Sequence, residues 1–106
     1  MKLNRPELMW LDESHQLSID ELFELSGLTL EELRHLVASG ALIPNNPTEE
    51  VLHFNSRFLV TIRTLSRLKH DFELEPSAYA LTFIFLERIR VLEFQLHELN
   101  QKTGLV

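Results

Sequence analysis

The chain has 106 residues, 44% of them hydrophobic and 25% charged, which is the balance of one globular domain rather than of a disordered tail or a fibrous repeat. Ten Lys and Arg stand against sixteen Asp and Glu, and the resulting formal charge of −6 disfavours simple electrostatic binding of nucleic acid. There is no cysteine, so disulfide stapling, thiolate catalysis and Cys-based zinc sites are excluded and nothing calls for an oxidising compartment.

At the start, Met1 to Pro6 lacks the apolar stretch of a signal peptide, and no apolar run approaches the roughly 18 residues of a membrane span. A cytoplasmic location is therefore expected. Glu7 to Leu11 is a short apolar run that fits an edge strand or a first helical turn, and the strand is the reading preferred. Ser18-Ile19-Asp20-Glu21 is an S-x-x-E capping box, and Ile19, Leu22 and Phe23 follow at helical spacing until Ser26-Gly27. This predicts a short helix over 18–26. Thr29-Leu30-Glu31-Glu32 repeats the device as T-x-x-E, with Leu30, Leu33 and Val37 as the inward stripe and Ser39-Gly40 as the stop, so a second short helix follows a Gly-containing turn.

Ala41 to Ile43 and Val51 to Phe54 favour β structure, and the Pro- and Asn-rich stretch between them predicts a small hairpin, or wing. From Asn55 to about Phe72, the residues Phe58, Leu59, Ile62, Leu65 and Leu68 recur every three or four positions, which predicts a third helix capped by Asn55 or Ser56. Glu75-Pro76 breaks that pattern, and Pro76 suits the first turn of a fourth helix running to about Gln101. In this last helix Phe85, Ile89, Leu92, Leu96 and Leu99 step by 4-3-4-3, the spacing of a coiled-coil seam. Phe83, Leu86, Val91 and Phe94 lie on its other faces, so the helix needs cover on more than one side and a homodimer is expected.

The outline is mainly α: one domain over 1–106, with a winged helix-turn-helix at 17–72, a small β-hairpin wing, and a long C-terminal dimerisation helix at 76–101. Chemistry is sparse. The five histidines have no i, i+3 or i, i+4 pair that would place two metal ligands on one helical turn, and the three glycines build no phosphate-binding loop. No enzymatic activity, metal, cofactor or small-molecule substrate is expected. The residues also speak against DNA. The helix in the recognition position carries Glu31 and Glu32 in its leading turn with Arg34 as its one firm cation, and the wing from Asn45 to Glu50 has no Lys or Arg. The third helix bears a small basic strip of Arg63, Arg67 and His70 opposite its apolar stripe.

The stretch Arg67-Leu68-Lys69-His70-Asp71-Phe72-Glu73-Leu74, followed by Ala78-Tyr79-Ala80-Leu81-Thr82-Phe83-Ile84-Phe85-Leu86, resembles the junction and final helix of the CbpM-type chaperone modulators, a short branch of the MerR-like proteins. Leu17 to Leu22 and Ala38-Ser39-Gly40-Ala41-Leu42-Ile43-Pro44 are similar to the opening and the exit of that family's helix-turn-helix, and the resemblance covers roughly residues 17–100. The positions where DNA-binding MerR regulators carry Arg-Tyr-Tyr and Tyr-Arg look here like Arg34-His35-Leu36 and Val51-Leu52-His53, so only Arg34 is kept. The resemblance implies a dimeric protein that binds the J-domain of a DnaJ-type co-chaperone and restrains its work with Hsp70. The alternative is a MerR-type transcriptional regulator using Arg34, Arg63 and Arg67 on DNA.

J-domains as a class present a basic helix to Hsp70, and an acidic surface suits such a helix. The candidates are Asp20, Glu21, Glu24, Glu31 and Glu32, of which Asp20/Glu24 and Glu21/Glu24 share a helical face. Arg63, Arg67 and Asp71 form a second candidate surface. The charge is unevenly placed: residues 1–40 hold three Lys and Arg against eight Asp and Glu, and the rest of the chain holds seven against eight. Nearly all the excess acid sits on the helix-turn-helix half.

Overall fold

A computed structural model describes residues 15–103, and the expected strand at Glu7 to Leu11 lies outside them. The elements in order are β1 (Gln16–Ser18), α1 (Ile19–Ser26), α2 (Leu30–Ala38), β2 (His53–Asn55), α3 (Phe58–Phe72), a 3-10 turn (Pro76–Ala78) and α4 (Tyr79–Thr103). This is the mainly helical winged helix-turn-helix class expected, with a small two-stranded antiparallel sheet and a long C-terminal helix.

Both capping boxes form. The Glu21 and Glu32 N–H groups donate to Ser18 Oγ at 3.2 Å and Thr29 Oγ1 at 3.1 Å, and each carboxylate accepts the cap residue's own N–H in return, at 2.8 and 2.9 Å. Each box satisfies two backbone donors that the first turn of a helix leaves without partners. Helix α1 stops at Gly27, whose φ of +87° is open to glycine and strained for other residues. Helix α2 ends in a Schellman motif, in which the Gly40 N–H donates to the Val37 carbonyl and the Ala41 N–H to the Leu36 carbonyl, both at 3.0 Å.

That ending overturns one expected strand. The N–H groups of both Ala41 and Leu42 are held by the Leu36 carbonyl, so residues 41–43 cannot enter a ladder in spite of their β propensity, and Leu42 is buried in the core instead. The partner of β2 is β1, in the antiparallel register Gln16 with Asn55, Leu17 with Phe54 and Ser18 with His53. Leu17 and Phe54 both face inward and are buried. The intervening wing is a loop fastened to β2 by asparagines: the Asn45 N–H donates to the His53 carbonyl at 2.8 Å, and the Asn46 Oδ1 accepts from the His53 N–H at 2.8 Å.

Helix α3 begins at Phe58, where its apolar pattern begins, but Arg57 takes the cap position without a side-chain cap, so neither Asn55 nor Ser56 is the cap expected. Asn55 acts one turn earlier, its Oδ1 accepting from the Arg57 N–H at 2.9 Å, while the carbonyl of buried Ser56 accepts from the Leu59 N–H at 3.0 Å. The expected stripe is inward: Leu59, Ile62 and Leu65 are buried, and Phe58 packs against the core with its ring centroid 6.2 Å from that of Phe83. Leu22, Leu33, Leu36, Leu42, Tyr79 and Phe83 complete one core between the helix-turn-helix, α3 and the start of α4.

Candidate protein-partner interface

The five predicted acidic residues do not share one role. Asp20 and Glu24 are exposed on α1, and Glu31 is exposed on the first turn of α2. Glu21 is exposed too, but its carboxylate closes the first capping box. Glu32 is only partly exposed and is committed to the fold, accepting the Thr29 N–H at 2.9 Å and lying 2.8 Å from the Lys69 ammonium. Burial alone would push its carboxyl up, yet the Lys69 and Thr29 hydrogen bonds outweigh that and hold it below the ordinary carboxylate value.

Lys69 was not among the expected site residues, because its pairing joins positions 37 residues apart. Tyr79 was missed as well. It is 4% exposed, and its phenol is pushed up first by desolvation and then by the negative charge of Glu32, so it stays protonated well past neutral pH. Lys69, Glu32 and Tyr79 thus bind α3, α2 and α4 together at one corner. Beside this corner opens a groove of about 470 Å³ between α2 with its cap, lined by Thr29, Glu31, Glu32 and His35, and the segment Pro76, Ser77 and Tyr79.

Arg63, Arg67 and Asp71 are all exposed and recur on the outer side of α3, so they do form one face. Arg63 is not free, since its Nε donates to the Leu25 carbonyl at 3.0 Å near the end of α1. Arg90 is also engaged. It reaches the Arg57 carbonyl at 3.2 Å and Glu87 at 3.3 Å, and Glu87 in turn accepts from the hydroxyl of buried Thr61, which clamps α4 onto α3. Among the described residues, Arg34 and Arg67 remain exposed near the positions a DNA-binding winged helix would use.

Along α4 the predicted seam is uncovered, with Phe85, Ile89, Leu92, Leu96 and Leu99 each 47–58% exposed. At 3.6 residues per turn this strip lies about 120–160° around the helix from Tyr79 and Phe83, which face the core, with Leu86 at the border between the two sides. Phe94, eleven residues beyond Phe83 and therefore on the same side of the helix, is nevertheless 64% exposed, because α4 continues past the body of the domain. None of the helices described is long and apolar enough to cross a membrane.

Two capped helices around a glycine turn, a loop wing fastened to a short sheet, and a long projecting helix define a winged helix-turn-helix domain. The family model described as MerR HTH family regulatory protein matches residues 17–101, and the chain belongs to that family. A search of curated proteins finds no match.

Proposed function

We propose that this MerR-family chain is a non-enzymatic, homodimeric chaperone modulator of the CbpM type, which binds the J-domain of a DnaJ-type co-chaperone and restrains its cooperation with Hsp70. The observation that carries this reading is the charge of the elements a winged helix would press against DNA. Glu31 is exposed in the leading turn of α2, the wing ends in exposed Glu49 and Glu50, and Lys69 and Arg63 are turned to internal partners. Such a surface repels phosphate and attracts a basic helix. Asp20 and Glu24 on α1 extend it. The uncovered seam on α4 supports a twofold pair, with the same strip contributed by each copy.

Titration calorimetry with a purified J-domain tests the reading directly. Binding is expected, with an affinity that falls as salt rises, and stopped-flow mixing is expected to show the loss chiefly as a slower association rate. A regulator role rests on family membership and on exposed Arg34 and Arg67. Specific DNA affinity that falls steeply with salt, together with no J-domain binding, would establish that role instead.

A further inference from the structure

We infer that the groove between α2 and the Pro76–Tyr79 segment is the socket for a lysine or arginine side chain projecting from a basic helix of the protein partner. This inference rests on the function proposed above and assigns it a place. The groove is about 470 Å³ and open to solvent on one side, and the rings of Pro76 and Tyr79 give it apolar walls. Long cationic side chains are built for such a site, because their methylene stems cover apolar surface while the head stays at a polar rim.

The rim has the complementary charge. Glu31 lines the groove and is exposed, and exposed Glu75 directly precedes the lining residue Pro76. Glu32 adds little net charge, since Lys69 lies 2.8 Å from it. An anion is disfavoured in the same place: the first-turn N–H groups of Thr29 and Glu32 are spent on the capping box, and carboxylates flank them. A hydrated metal ion would gain nothing from the apolar walls and would want several oxygen ligands at once. A helix-borne cation satisfies both wall and rim.

Amide resonances of the full chain would be followed while a purified J-domain, and separately a designed Lys/Arg-rich helical peptide, are titrated in. Both are expected to shift residues 29–35 and 77–79. Ser77→Trp, which narrows the groove without changing charge, and Glu31→Lys are each expected to weaken both probes at least tenfold, with thermal melts confirming that the variants fold. Glu24→Lys, outside the groove, should cost clearly less. If the J-domain binds but shifts only α1 and leaves the groove variants unaffected, the socket is overturned and the proposed function stands. Should the peptide seat in the groove while the J-domain does not bind at all, the socket stands and the proposed partner falls. Peptide binding unaffected by Ser77→Trp overturns the socket.

Discussion

The Lys69 ammonium lies 2.8 Å from Glu32 Oε2 and 2.9 Å from Oε1, tying the last turn of α3 to the first turn of α2. The same Oε1 accepts the Thr29 N–H at 2.9 Å, so one carboxylate serves as both helix cap and inter-helix link. Because its folded pKa is lowered below the ordinary value of 4.5, the stability it contributes is present above that value and is lost as pH falls through the folded one. Glu32→Gln keeps the cap but removes the charge. The variant is expected to be less stable by about 1 kcal/mol at neutral pH, and the gap should close as the pH is taken below 4.5 in a series of urea titrations. A gap that stayed constant down to pH 3 would show that the charge pair contributes nothing. Combining Glu32→Gln with Lys69→Met should cost less than the sum of the two, since each already removes the same interaction.

Gly27 and Ser66 meet where the helix-turn-helix packs on α3. A Cβ added at Gly27 would lie 2.6 Å from Ser66 Oγ, and the φ of +87° is unfavourable for any residue that has one. Gly27→Ala should therefore cost roughly 2 kcal/mol or more, from left-handed strain together with the clash. Ser66→Ala in the same chain removes the nearest atom, so it is expected to restore part of the loss while the backbone strain persists. No recovery in the thermal midpoint of the double variant would assign the whole effect to the backbone.

The features legible in the sequence are the local ones. Ser18 to Glu21, Thr29 to Glu32 and Ser39-Gly40 announce helix ends because capping needs only residues within one turn. The stripe of α3 is likewise read from spacing alone. The partner of β2 was not legible, since pairing with Gln16–Ser18 is a contact between distant segments and the competing Ala41–Ile43 run is taken by the carbonyl that closes α2. The site was half legible for the same reason. Acid content marked the helix-turn-helix, but a count of charges cannot tell Glu31, which is exposed, from Glu32, which is paired across 37 residues. Tyr79 carried no polar motif and came forward only when the fold placed it against Glu32.

Arg63 links α3 to α1 through its 3.0 Å hydrogen bond to the Leu25 carbonyl, a group near the end of α1 where backbone acceptors lack helical partners. Arg63→Ala is expected to lower stability by about 0.5–1 kcal/mol, the scale of one partly exposed hydrogen bond to a charged donor. J-domain affinity should stay within twofold of the parent if the acidic face carries binding. A loss of tenfold or more, at unchanged stability, would move the interface to the outer side of α3 with Arg67 and Asp71.

On α4, Leu92 is 47% exposed at the middle of the seam, with Ile89 and Leu96 a turn to either side. A twofold pair would bury Leu92 from both copies, and because each is already about half covered it gains about half of the roughly 1.5–3 kcal/mol of full burial, so the two together account for roughly tenfold to a hundredfold in the dissociation constant. Leu92→Asp removes that gain and also places two carboxylates against each other in the seam. Sedimentation equilibrium at tens of micromolar is therefore expected to show a dimer for the parent chain and a single 12.4 kDa species for Leu92→Asp. Helix content and core stability should be retained, because Leu92 is half exposed and is not part of the buried cluster that holds Phe54, Ile62 and Phe83. Glu98→Ala, on the far side of α4 from the seam, should remain dimeric. A monomeric parent, or a Leu92→Asp variant that still pairs, would mean that the exposed strip on α4 serves another partner.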